Sequence, residues 1–383
     1  MYRLNSEQKK IIDRASTLAD ESLAPHASRV DSESTFPTEG IRALGDAGFL
    51  GLNVPDEYGG MGQGPRVGCA VLDEISQRCA STGMIYMMHL CGIACYNAKS
   101  KTTAKYLEAA AKGDHLSTLA WSERGSRSHF WAPVSRAERV NGQIHITADK
   151  SFVTSAGIAA GYVVSTGWAD GTAPTESMLY LVLAEDAGLN VSGSWDAHGM
   201  RGNASAPMKL ERVSIPSDRA LSDEGKGFDT MLGVVLPWFQ LGNAAISVGI
   251  AEAAVQATTK HLTASRFEHL GSTLSELPNL RARLARMRIE TDRGRAHLVS
   301  VIDSVEEPSD ATQLLVLEAK AAASETAMAV TEIGMRACGG AAFGRRVAVE
   351  RQFRDARASG IMAPTTDVAY EFIGRALCGM ELF

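Results

Sequence analysis

Four stretches hold residues whose types and spacing could do chemistry. In "KSFVTSA" (Lys150–Ala156), Phe152 and Thr154 fall two apart, the period that puts both on one face of a strand. A ring and a hydroxyl facing together can stack on a flat ligand and hydrogen-bond its heteroatoms; a core phenylalanine is the plainer reading. In "LAWSERGSRSH" (Leu119–His129), Ser122 and Ser128 flank glycine and small residues. That is a loop whose N–H groups can meet an electron-rich ligand edge, or a plain connector. In "CGGAAF", Gly339 and Gly340 stand at a helix end, where two glycines allow close backbone approach to a phosphate or simply cap the helix. The fourth, "RDARASGIMAPTTDV" (Arg354–Val368), is notable for a gap, with no carboxylate between Asp355 and Asp367.

Composition bounds the answer. The 383 residues are long for one compact core and suggest two or three packed subdomains. Hydrophobic residues at 45% and charged residues at 21% exclude wholesale disorder. A formal net charge of -6 gives no electrostatic case for nucleic acid. The N-terminal stretch lacks an apolar core of signal-peptide length, and no apolar run approaches the ~20 residues of a membrane span. Cys91 and Cys95 in "CGIAC" lie one helical turn apart, but no partner Cys or His pair sits nearby. Reduced core thiols, no metal and a cytoplasmic protein are expected.

The elements that must position these residues follow an order of helices, strands, helices. "SEQKKIIDRASTLADESLAPHA" carries a helical apolar stripe with Ser6 as its N-cap. "PTEGIRALGDAGFLGL" reads as a helix closed near Gly48, and "RVGCAVLDEISQRCASTGMIYMMHLCGIACYNAKS" as internal helix. From about Ser117, short β-rich runs alternate with turns, including an Asn-Gly hairpin turn in "VNGQI". From Gly227 long helices return, two of them near Pro278–Ser304 and Asp310–Ala337, and another starts at Thr366. The expected fold class is α+β: a helical region over residues 1–117, an antiparallel β domain over 118–226 and a C-terminal four-helix bundle over 227–383.

Four motifs in order resemble the acyl-CoA dehydrogenase family over nearly the whole chain. "LGLNVPDEYGGMGQG" (Leu50–Gly64) is similar to its N-domain signature, "LAWSERGSRSH" to its flavin loop "TEPGAGSD", "KSFVTSA" to its "KxWITN" strand, and "ACGGAAFGRRVAVERQFRDAR" (Ala337–Arg357) to its "GGxGF…RDAK" segment. The resemblance implies FAD lined by Leu119, Trp121, Ser122, Ser128, Phe152 and Thr154, with Thr365 and Asp367 also at the cofactor. It further implies that Arg266, in "SRFEHLG", contacts FAD, and that Arg336, Gly339 and Gly340 reach a neighbouring subunit's FAD, hence a homodimer or homotetramer. Arg127 and His129 replace a Gly and an Asp of the family pattern.

The family removes an α-proton with a Glu nine residues after the Arg of "RDA", where this chain has Ala363. Some members place the Glu on the first long C-terminal helix, where this chain has Trp238 or Phe239, depending on a one-residue shift. Both positions lack an acid. Three readings stay open: a dehydrogenase of an acyl-CoA or related small molecule whose base is Asp367, Glu371 or His129; a flavin-dependent monooxygenase in an apolar pocket near Trp238 and Phe239; or a non-catalytic partner subunit. The electron acceptor would be an electron-transfer flavoprotein or O2.

Overall fold

The computed structural model describes residues 2–127 and 129–381. The N-terminal helices are α1 (Ser6–Leu18), α2 (Ala27–Ser32), α3 (Thr38–Asp46), α4 (Pro65–Arg78), α5 (Ala80–Asn97) and α6 (Ser100–Ala111). The cap of α1 is Asn5, not Ser6. Asn5 accepts from the Gln8 amide and the Gln8 side chain accepts from the Asn5 amide, a reciprocal pair that Ser6, already helical, does not make. Gly48 closes α3 with φ 79, as its position after the last periodic residue suggests. Every residue of α5 from Ala80 to Tyr96 is buried, so this helix is the axle of the first region.

The strands are β1 (Ser117–Ala120), β2 (Ala137–Val140), β3 (Gln143–Val153), β4 (Gly161–Gly167), β5 (Ser177–Leu183), β6 (Leu189–Val191) and β7 (Ala206–Pro216). They form two sheets of order β1-β4-β5 and β2-β3-β7-β6. The pairing is antiparallel except between β1 and β4, which run parallel. The domain is thus antiparallel as expected apart from this one pair, which side-chain alternation cannot reveal because it reports burial and not strand direction. One core fills the space between the sheets, with Ile144, Ile146 and Ala148 of β3 facing Val164 and Val182. The β2–β3 hairpin turns on Asn141 (φ 52) and Gly142 (φ 78).

The third region holds α7 (Gly227–Thr230), α8 (Leu236–Ala264), a short hairpin of β8 (Arg266–Phe267) and β9 (Ser272–Thr273), then α9 (Pro278–Glu306), α10 (Thr312–Cys338), α11 (Gly340–Phe343), α12 (Val349–Ile361) and α13 (Thr366–Leu377). Between α7 and α8 the chain makes a π turn, Met231–Val235, and Pro237 sits just inside α8. The stretch Gly227–Ala264 is long and apolar enough to cross a membrane, contrary to the expectation that no run is, but most of it is buried inside the bundle. Close packing against α4 and α5 depends on glycines. A Cβ on Gly249 would lie 2.5 Å from the Asp73 carbonyl, and one on Gly68 would lie 2.7 Å from the Trp238 ring.

Candidate active site

A cavity of about 720 Å³ opens where the β unit, α5, the start of α8 and the end of α12 meet. Leu119, Trp121 and Ser122 line it from the end of β1, and Phe152 and Thr154 from the end of β3. Five residues that the sequence singles out as cofactor contacts therefore share one wall. Met84 and Met88 of α5, Met231, Val235 and Leu236 around the π turn, and Ile361 of α12 supply apolar surface.

The strand period does not explain how Phe152 and Thr154 come together. Burial alternates along β3 as far as Lys150, and then the register slips between Lys150 and Val153. Phe152 takes φ 57, in the left-handed region, and is 68% exposed, whereas Thr154 lies beyond the strand end and is buried. A bulge, not an alternating face, aims both at the cavity; a non-glycine residue at positive φ stores strain that surrounding structure must hold. Thr154 Oγ1 lies 2.9 Å from Ser205 Oγ.

The slip is anchored by a buried ion pair. Lys150, at an inward position of β3, donates to Glu123 Oε1 at 2.6 Å and to the Ser165 carbonyl at 2.6 Å. Glu123 also accepts from the Val134 amide at 2.6 Å, the Ser135 amide at 3.0 Å and the Ser135 hydroxyl. Burial pushes the Glu123 carboxyl up, but the Lys150 charge and these donors outweigh it and hold it below its usual range. Glu123 and Lys150 thus fix the loop that carries Ser122. Arg127, where the family pattern has Gly, adopts φ 49, the conformation a glycine would take freely. Ser128, named above as a cofactor contact, lies outside the described residues.

The opposite rim is the segment Ser194–Met200, latched to α12. The Met200 amide donates to buried Asp355 at 2.7 Å, and Arg354 donates to the His198 carbonyl at 3.1 Å. Arg354 also holds Asp31 through both terminal nitrogens (2.7 and 2.6 Å) and Glu350. Gly199 is required there, since a Cβ would stand 2.4 Å from the Arg354 carbonyl. Burial raises the Asp355 carboxyl to about 6, against the Met200 hydrogen bond and nearby arginines.

Ala363 lines the cavity, and so does Phe239, while Trp238 packs on Gly68 of α4. Of the two α8 residues left open by the one-residue shift, Phe239 is the one that faces the cavity. Lys320 of α10 donates to the Met362 and Pro364 carbonyls and so holds the turn that carries Ala363. Burial depresses its amine to about 8. The three bases suggested by proximity are not in the wall: Asp367 and Glu371 are exposed on α13, and His129 is exposed and stacks edge-on with Trp131. Asp367 occupies the first turn of α13, where an acid compensates the helix dipole, and Thr365 is the cap, accepting from the Val368 amide at 3.3 Å. The titratable carboxylates that do line the cavity are Glu123, already paired, and Asp196, which makes no ion pair among the described residues. Sequence reasoning missed Asp196 and His198, which have no motif of their own. Two buried polar atoms on lining residues, Trp121 Nε1 and Asn203 Oδ1, lack hydrogen-bond partners among the described residues.

Arg266, Arg336, Gly339 and Gly340 are elsewhere. They gather at the far end of the bundle, where Leu262 of α8, Leu280 of α9 and Ala337 of α10 form a small cluster. From Phe239 to Leu262 the helix rises about 35 Å at 1.5 Å per residue. One chain therefore cannot bring both groups to one ring.

Three family descriptions match the chain in order: the acyl-CoA dehydrogenase N-terminal domain over residues 5–114, its middle domain over 118–213 and its C-terminal domain over 225–378. A cyclohex-1-ene-1-carbonyl-CoA dehydrogenase of Syntrophus aciditrophicus is 28% identical, covering 98% of this chain and 91% of that protein. A probable acyl-CoA dehydrogenase, FadE25, of Mycobacterium tuberculosis is 26% identical over 98% of this chain and 97% of its own. Among solved structures, butyryl-CoA dehydrogenase of Megasphaera elsdenii superposes with a TM-score of 0.91 at 22% identity over 98% of this chain and 99% of its own, and an FAD complex of PigA with 0.89 at 20% identity over 98% of each.

Proposed function

Given that the chain belongs to the acyl-CoA dehydrogenase family, whose members are FAD-dependent oxidoreductases acting on CH–CH groups, we propose that it oxidises an acyl thioester without a Glu at either usual position of the base. The observation that carries this reading is the cavity wall itself. Phe152, Thr154, Trp121 and Ser122 share it with Ala363 and Phe239. The unpaired Trp121 Nε1 and Asn203 Oδ1 suit a heteroaromatic ring with hydrogen-bonding edges, since a buried polar atom left without a partner is costly. The exposed ring of Phe152 suits stacking on the same ring.

When bound, FAD supplies the hydride acceptor for the carbon β to the thioester. The chain's part is to hold the acyl group and take the α-proton. Met84, Met88, Leu236 and Phe239 form an apolar trough that excludes water around the acyl chain. In this reading Asp196 accepts the proton, because it is the lining carboxylate that no cation neutralises. Phe239 and Ala363 leave space and no charge where the family places its Glu. Electrons would pass to an electron-transfer flavoprotein or to O2. The far-end residues Arg266, Arg336, Gly339 and Gly340 would serve the cofactor of a second copy, which makes a homodimer or homotetramer the assembly this reading requires.

Flavin-fluorescence quenching tests the reading. The wild-type chain should bind FAD, and Phe152→Ala, which removes an exposed ring, should weaken binding while leaving the melting temperature within a few degrees. A wild-type chain that binds no flavin would refute it.

A further inference from the structure

Four arginines line the cavity: Arg124, Arg127, Arg354 and Arg357. They differ in what already satisfies them. Arg354 is saturated by Asp31, Glu350 and the His198 carbonyl. Arg124 and Arg127 are exposed on the loop after Trp121, where water solvates them. Arg357 is half-buried on α12, one residue before the lining Ala358, and it forms no ion pair among the described residues. Its Nη1 donates to two neutral acceptors, the Phe353 carbonyl at 2.7 Å and Thr331 Oγ1 at 3.2 Å. Its guanidinium carbon sits 3.5 Å from the centroid of the Phe353 ring. These contacts fix the side chain and leave Nε and Nη2 without an acceptor among the described residues.

A half-buried cation with a fixed plane and two spare donors is costly unless something anionic arrives. Burial lowers the Arg357 basicity, and Glu332 only partly opposes this, without an ion pair. The neighbouring acids cannot help: Asp31 and Glu350 hold Arg354, and Asp355 takes the Met200 amide. The free edge of the guanidinium presents the paired N–H geometry that matches a carboxylate or phosphate.

We propose that Arg357 anchors an anionic oxygen group, phosphate or carboxylate, of the molecule that fills the cavity. The proposal rests on the cavity being the flavin and acyl site. It adds that one occupant carries a negative charge next to α12. That charge belongs to the FAD phosphates, the CoA phosphates or a carboxylate on the acyl group.

The test compares ligand pairs of which one member lacks the anionic portion, on the full chain and its Arg357→Met and Arg357→Gln variants. The pairs are FAD against riboflavin, an acyl-CoA against the same acyl pantetheine, and an acyl-CoA with a terminal carboxylate against its neutral homologue. Dissociation constants come from flavin fluorescence and from ligand-induced shifts of the flavin spectrum, with melting temperature as the folding control. The expected result is a loss of about tenfold or more confined to the anionic member of one pair, with Arg357→Lys recovering part of it. That pair identifies the source of the charge. No loss in any pair, or equal losses for both members of every pair, overturns the role of Arg357. A wild-type chain that binds no flavin overturns the site reading and this proposal together.

Discussion

The two ends of α8 differ in how complete they are. At the start of the helix, the cavity has walls from all three regions of one chain, a buried ion pair behind its loop and a rim latched to α12. At the other end, Arg266 projects from a two-residue strand, Gly339 turns at φ 55 with nothing within 4 Å of where its Cβ would be, and Leu270 (66%) and Phe343 (86%) are exposed. Both ends carry motifs of the same family. The cavity end is organised to act within a single chain, whereas the far end is left open, which suits contact with another copy. Charged groups follow the same division, because at the cavity end nearly every buried charge has an assigned partner, Arg357 being the exception argued above.

Breaking the cavity end should have the largest effects. Asp196→Asn should slow flavin reduction by an acyl thioester about 10²–10⁴-fold, the usual worth of a general base, with little change in FAD affinity; single-turnover stopped flow reads it. Lys150→Met leaves Glu123 buried without its cation and should cost roughly 3–5 kcal/mol, seen as a large drop in denaturation midpoint. The rim latch should respond to pH. Asp355 binds its proton more tightly folded than unfolded, rising from 3.8 to about 6, so its contribution is present at acid pH and lost as pH climbs through 6. That loss is about 3 kcal/mol over the whole span from well below pH 3.8 to well above pH 6, and Asp355→Asn should flatten this part of the stability curve. Gly199→Ala forces a methyl against the Arg354 carbonyl and should cost about 1–3 kcal/mol in chemical denaturation. At the far end, Arg266→Ala should change stability by less than about 0.5 kcal/mol, and its effect should appear only as FAD loss on dilution.

Much of the fold was legible because it rests on local rules. The Asn141-Gly142 turn, the Gly48 stop and the start of α13 after Thr365 are each set by residues within a few positions. The parallel pairing of β1 with β4 and the bulge after Lys150 are not local, and alternation reports neither. At the site, motif order identified Leu119, Trp121, Ser122, Phe152 and Thr154 as a group. It could not show that Lys150 needs Glu123, which lies 27 positions away. Nor could it distinguish Trp238 from Phe239, which required knowing that Gly68 leaves room for one indole. Asp196 was invisible as a site residue, since only the latch between Met200 and Asp355 brings its segment to the cavity.

Anaerobic titration of the FAD-loaded protein with a series of acyl-CoA thioesters addresses the function most directly. At least one thioester should bleach the oxidised flavin with no reductase present, and Asp196→Asn should bind the same thioester but bleach slowly. A bound flavin that stays oxidised with every thioester, yet is readily reduced by an added chemical reductant, would contradict the proposed function.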